Sequence, residues 1–176
     1  MRPTFGLTAF SMLACVQTVF LEAAAARPLE RELPRGRQAC WERSYDAAHL
    51  AAHPLQKVAR VRLLHLPGSW REQPYGFYVQ LSFKLRGSRS DKAFDYQLGG
   101  FCKAAGNGLR CTPQWDAGAW RLSSAPGGAL DVGNDGLVAN PDPYDAEEIA
   151  DDAVRIPAKP DDGVWRLTPA RGRCEL

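Results

Sequence analysis

Between residues 77 and 85 the chain alternates strictly. Phe77, Val79, Leu81, Phe83 and Leu85 are apolar, and Tyr78, Gln80, Ser82 and Lys84 stand between them. A period of two gathers the apolar set on one face, so the segment predicts a half-buried antiparallel strand. Phe94, Tyr96 and Leu98 repeat the alternation around Asp95 and Gln97. The stretch from Val58 to Leu66 alternates as well, but its apolar phase slips at Leu63-Leu64, which predicts a β-bulge there. Shorter strands are expected at 118–123, 128–132, 152–156 and 163–168, divided by clusters of Gly, Pro, Asn and Asp. A helical pattern appears once, at 45–53, where Asp46 can cap the start and Pro54 stops the run. These patterns add up to a mostly β fold: a small antiparallel barrel or sandwich of about eight strands with one short N-terminal helix. A meandering barrel is the preferred form.

One echo runs through the second half. Gly118-Ala-Trp-Arg-Leu-Ser123 returns as Gly163-Val-Trp-Arg-Leu-Thr168, each copy following an Asp-containing turn. Two copies do not make a repeat architecture, so both are read as strand starts with Trp and Leu inward and Arg in water. Gly133-Asn134-Asp135-Gly136 is read as a hairpin turn.

The first 26 residues do not fit this picture. Arg2 precedes an apolar run from Phe5 to Leu21, and Ala23 to Ala26 close it. A basic start, an apolar middle and a small-residue end are the parts of a secretory signal peptide, cleaved near Ala26. The run is short for a spanning helix, which needs ~20 apolar residues. Met12-Leu13-Ala14-Cys15 is a second reading, a lipoprotein box; membrane attachment is expected only if Cys15 is lipidated. The product is therefore expected in the periplasm or outside the cell. Residues 27–39, charged and broken by prolines, read as a flexible leader, and 40–176 as a single disulfide-bonded β domain.

An oxidising compartment changes the meaning of the cysteines. Cys40, Cys102, Cys111 and Cys174 remain after cleavage, and an even number reads as two disulfides. With Gly106-Asn107 as a type II′ turn, Ala105 faces Gly108, Lys103 faces Arg110 and Cys102 faces Cys111. A competing Asn107-Gly108 turn would put Cys102 opposite Pro113. The hairpin pairs Cys102 with Cys111 and leaves Cys40 for Cys174. No close Cys pair suggests a metal site.

Net charge is only +2, yet residues 27–121 hold sixteen Lys or Arg against eight acids, and residues 139–163 hold two against eight. A basic face for nucleic acid is one reading. An acidic segment folded over that face is preferred, so no nucleic acid is expected as a partner. His49 and His53, four apart on a helix, have the spacing of a two-histidine metal or haem site; a structural role is preferred. Asp142, Asp145, Glu147, Glu148, Asp151 and Asp152 could supply carboxylates for calcium or for a hydrolase. There is no phosphate loop, no Gly-x-Ser-x-Gly and no His-Glu-x-x-His. Trp41, Trp70, Trp115, Trp120 and Trp165 could stack on sugars or bases, but strand spacing assigns them to the core. No cofactor is called for.

Three stretches carry a resemblance: Cys40 to Gln56, Gly99 to Cys111, and Trp165 to Cys174. Together they resemble a group of secreted alphaproteobacterial proteins of unknown function. Trp115 and Asp116 stand where that group often has a further cysteine. The resemblance implies compartment and fold, and no activity. The function expected from the sequence is a non-catalytic exported domain that binds a macromolecule, as an inhibitor or an envelope-associated factor, with an envelope or extracellular protein as partner. A carboxylate- or His-dependent hydrolase is the alternative, and a metal- or haem-binding protein through His49 and His53 a further one.

Overall fold

The computed structural model describes Leu29, Leu33 and residues 38–66, 77–113, 115–141, 149–170 and 174. The predicted signal peptide and Trp70 lie outside them. Nine strands follow in order: β1 (Ala39–Ser44), β2 (Val58–His65), β3 (Phe77–Leu85), β4 (Tyr96–Ala105), β5 (Gly108–Thr112), β6 (Gly118–Ala125), β7 (Ala129–Pro141), β8 (Val154–Ile156) and β9 (Val164–Pro169). Among the described residues a six-residue helix, α1 (Ala47–Ala52), lies between β1 and β2, inside the run of strands. Asp46 caps it, its carboxylate accepting from the His49 amide at 2.8 Å.

Every pairing among the described residues is antiparallel. The strands run β6-β5-β4-β3-β2-β1-β9-β7, and β7 pairs back onto β6, closing an eight-stranded barrel. Closure removes the exposed edges that an open sheet would leave. β8 is a ninth strand, added to β7 through Leu137, Val138 and Ala139.

The alternation read from the sequence becomes the inside and outside of this barrel. Val79, Leu81 and Phe83 of β3 are fully buried and join one cluster with Val61 and Leu63, Leu98, Leu109, Trp120 and Leu122, Val132, and Trp165 and Leu167. The interior is filled by side chains. Gly100 makes room for the largest of them, since a Cβ there would lie 2.4 Å from the Trp120 ring. Leu29 and Leu33, expected in a loose leader, are 1% and 3% exposed and belong to the same cluster.

Two local expectations are corrected. β2 is regular through Leu63 and Leu64, and its register shift falls between Val58 and Arg60. Leu63 points inward opposite Trp41, whereas Leu64 lies on the outer face opposite Cys40, beside the Cys40–Cys174 bridge. The second leucine is thus covered from outside, so the apolar phase slips without a bulge. The second correction is at Gly133–Gly136, which is no hairpin turn but the middle of β7. Between the pairs Gly118↔Leu137 and Trp120↔Asn134, β7 advances one residue more than β6. That is a bulge, with Gly136 at φ +95° and the Asn134 side chain accepting from the Gly136 amide at 2.8 Å. Turn-forming residues bend this strand without ending it, because β6, β8 and β9 all pair with it.

The cysteine reading holds. Cys102 and Cys111 face one another across β4 and β5 and are bonded, and Cys40 is bonded to Cys174. Gly106 takes φ +61° and Asn107 is not at positive φ, as a type II′ turn at Gly106-Asn107 requires. Two disulfides fit an oxidising compartment. Among the described residues no helix is long and apolar enough to cross a membrane.

Candidate functional site

Three groups of polar side chains are candidates for function, and each is built from a loop or face that the barrel holds in place.

The first surrounds the predicted histidine pair. The rings of Tyr45, His49 and His53 stack in series, with centroids 4.5 and 4.3 Å apart. The lone pairs of stacked imidazoles run side by side in nearly parallel planes instead of converging on one ion. His49 Nε2 is engaged with Gln56 Oε1 at 3.0 Å, and His53 Nδ1 lies 3.9 Å from Asp161. Among the described residues no group of three or more His, Cys, Asp or Glu is gathered to hold a metal. Beneath the stack sits Asp162, 1% exposed, which accepts from the Lys57 and Val58 amides and from the Trp165 indole at 2.6, 3.4 and 3.2 Å. Burial raises its carboxyl above the usual range, against the pull of those three donors. Burial likewise pushes the Tyr45 hydroxyl up to about 12, opposed by Arg43 and reinforced by Asp162. Asp161 accepts from the Leu55 amide at 3.1 Å. The two adjacent aspartates therefore tie the segment after α1 to the turn before β9, and their donors are backbone and indole groups. This cluster is a knot.

The second group is the loop between β3 and β4. Lys84 Nζ donates to the carbonyls of Ser90 and Lys92, both at 2.8 Å, and to Asp95 at 3.0 Å. Burial pushes the Asp95 carboxyl up, but hydrogen bonds from Ser88, Lys84, Ser90 and the Leu85 amide outweigh it and hold the group below the usual range. Asp152 shares a depression of about 450 Å³ with Arg86, Lys92 and Asp95. One residue of the acidic segment thus does lie beside basic side chains. Asp151 and Asp152 are exposed, while Asp142, Asp145, Glu147 and Glu148 lie outside the described residues.

The third group was not singled out in the sequence. On the outer face Lys103 pairs with Arg110, Arg110 with Arg121, Arg121 with Gly133, and Gly133 with Val164, a row that crosses five strands. Asp135 sits between two of these cations, 2.8 Å from Arg121 and 3.5 Å from Arg110. Beside it Arg166 grips Asp131 with two bonds of 2.8 Å. The Arg166 bonds hold the Asp131 carboxyl below its ordinary range. Two depressions, of about 470 and 710 Å³, meet at Arg121 and Val164 and form one trough along this face. The hairpin reading already placed Lys103 opposite Arg110; continuing that register across the next strand would have found Arg121.

Of the tryptophans, Trp41, Trp120 and Trp165 are buried, as strand spacing implied. Trp115 is half-buried beside Tyr78, Gln97 and Asn140 at a depression of about 40 Å³.

The chain was compared with protein-family models, curated proteins and solved structures, and none matches it. What can be stated of its class is the architecture, a closed eight-stranded antiparallel barrel with one added strand and two disulfides.

Proposed function

We infer that this chain is an exported β domain that binds a macromolecular partner without chemically changing it, as an inhibitor or an envelope-associated factor does. One observation carries the reading. The barrel interior is packed with Trp120, Trp165, Phe83 and aliphatic side chains, so recognition falls to the outer surface. The buried Asp162 is engaged in holding segments together, accepting from the Lys57 and Val58 amides and the Trp165 indole, and the half-buried Tyr45 ring is stacked on His49. A surface that keeps its shape through barrel closure and two covalent bridges suits a binder, because a preorganised face loses little entropy on docking.

The test is capture from an envelope extract on the immobilised domain, followed by titration of what is retained. A saturable partner at micromolar concentration is the expected result. Absence of any such partner, or turnover of a glycan or peptide that disappears in Asp152→Asn or His49→Ala, would replace this reading with the hydrolase.

A further inference from the structure

We propose that a notch in the barrel wall beside Trp115 is a binding site for the acetamido group of an N-acetylated amino sugar. The proposal rests on the binding reading above and names a glycan as the partner.

The notch lies where the wall divides. β4 pairs with β7 at Tyr96 and Gln97 and with β5 from Phe101 to Ala105, so Leu98, Gly99 and Gly100 fall between the two pairings. Trp115 and Ala117, from the segment between β5 and β6, line the depression there with Leu98 and Gly99. Val138 and Asn140 of β7 complete it, and Ile149 stands at its rim. Hydrogen bonds fix this lining. The Val138 amide donates to the Ala117 carbonyl at 3.0 Å, and the Ala150 amide donates to Asn140 Oδ1 at 3.1 Å, which holds the chain beside Ile149. Gly99 has no side chain, and the Tyr78 hydroxyl lies 1.6 Å from where its Cβ would be. A cleft formed in advance loses little entropy when it is filled.

Size and lining together select the ligand. The depression measures about 40 Å³, room for about three water-sized groups. The acetyl end of an acetamido group has that size: a methyl, a carbonyl carbon and an oxygen. The described residues that line the notch carry no charge, so an ion entering it would lose hydration without gaining a counter-charge. Leu98, Ala117, Val138 and Ile149 offer a methyl group an apolar wall. Donors stand beside that wall. Gln97 gives its carbonyl oxygen to Gln80 at 2.5 Å, and among the described residues neither its amide nitrogen nor the Trp115 indole N–H has an acceptor. An acetamido oxygen answers those donors. The half-buried Trp115 keeps part of its indole at the surface, where the sugar ring can stack. An acetylated lysine would need a channel for its four-carbon stem, and the depression is too small to provide one.

The experiment is an NMR titration of the mature, oxidised protein with the trisaccharide of N-acetylglucosamine. Shifts should concentrate at the Trp115 indole N–H and at the Gln97, Gly99 and Ala117 amides. The glucosamine trisaccharide, which lacks the acetyl groups, should leave those signals in place. Gln97→Glu keeps an oxygen for Gln80 and replaces the N–H donors with an acceptor, so affinity should fall about tenfold with the fold intact. Trp115→Phe keeps a ring without the N–H and should weaken binding several-fold. Arg121→Ala, away from the notch, should change nothing. Equal shifts from the deacetylated sugar, no shift at these groups, full affinity in Gln97→Glu, or tighter binding of an acetyl-lysine peptide would each overturn the proposal. If the trisaccharide fails to bind while an envelope extract still yields a partner, the notch is wrong and the binding reading survives. If the trisaccharide is cleaved, the binding reading fails and the proposal with it.

Discussion

β6 and β9 begin with nearly the same sequence and flank the same strand, yet they are secured by different means. In both, Trp and Leu point into the core and Arg points out: Trp120 and Trp165 are fully buried, and Leu122 and Leu167 nearly so. Both lie against Val132 of β7, from opposite sides. The Trp165 indole donates to the buried Asp162, whereas the Trp120 indole N–H has no partner among the described residues. Arg166 closes on its own aspartate with two bonds, whereas Arg121 shares Asp135 with Arg110. β9 leads on to Cys174, which is bonded to Cys40 at the start of β1, while β6 lies beside the hairpin bridge, Trp120 opposite Cys111. The same short sequence gives a two-bonded arginine and a bonded indole on one side, and a shared carboxylate and an unpartnered indole on the other.

The bridges test the contrast most severely. Cys40–Cys174 closes a loop of 134 positions and Cys102–Cys111 one of 9. In the chain-entropy account these stabilise by about 5 and about 2.6 kcal/mol. Urea unfolding of Cys40→Ser with Cys174→Ser should show the larger drop, and hydrogen exchange should rise first along the β1–β9 pairing. An equal or smaller drop than in Cys102→Ser with Cys111→Ser would break the assignment of β9 as the more firmly tied arm.

The glycines that open the two copies come next. Gly118 has φ +92° and a Cβ there would meet the Gly136 carbonyl oxygen at 1.7 Å. Gly163 has ordinary backbone, and its Cβ would lie 2.7 Å from the Ala158 oxygen. Gly118→Ala should cost upwards of ~2 kcal/mol, combining strain and clash, and Gly163→Ala visibly less in thermal unfolding. The bulge in β7 is the reason: Gly136 brings its carbonyl against Gly118 and has no counterpart on the β9 side.

Trp→Phe substitutions separate the arms by their hydrogen bonds. Trp165→Phe removes a donor from a buried carboxylate and should cost about 1–3 kcal/mol beyond the lost ring volume. Trp120→Phe removes an N–H that has no partner and should cost only the volume. Parallel denaturation curves for the two variants would contradict the comparison.

Acid sensitivity should show the smallest effects. Asp131 has a lowered folded pKa, so its contribution is present above the unfolded value of about 3.9 and is lost as pH falls through the folded value. Arg166→Ala should therefore lower stability slightly at neutral pH, with the difference from wild type vanishing in strong acid. Asp162 has the opposite sign. Its raised folded pKa makes the ionised form a burden that develops as pH rises from about 3.9 through the folded value. Asp162→Asn should gain on wild type over that rise. Denaturation midpoints measured across the acid range would show both trends or refute them.

How far the sequence carried the fold depends on the range of the force involved. A period of two in Phe77–Leu85 needs only the geometry of a strand, and the observed strand has the same bounds. The hairpin at Gly106-Asn107 is equally local, because one turn type fixes the register that brings Cys102 to Cys111. Leu63-Leu64 and Gly133–Gly136 misled for one reason. Each was read from its own strand, and each was settled by a neighbour: β1 sets Cys40 opposite Leu64, and partner strands on both edges carry β7 through its bulge. The candidate site follows the same division. His49 and His53 stood out by spacing, and the tertiary fold stacked them. Arg110, Arg121 and Asp135 stand on three different strands, and no spacing along the chain relates them.

The sequence by itself therefore determined the strands with clean alternation, the short helix capped by Asp46 and stopped before Pro54, the disulfide hairpin and the inward Trp and outward Arg of the two copies. These follow from steric preference and from the period at which side chains alternate. Only the tertiary structure decided that the sheet closes, that β7 accepts partners on both edges along thirteen residues, and that one arginine closes on its own aspartate while its twin shares one. Closure and charge pairing are set by which groups meet across the barrel, and such meetings join residues far apart in the chain, as the Cys40–Cys174 bridge does over 134 positions.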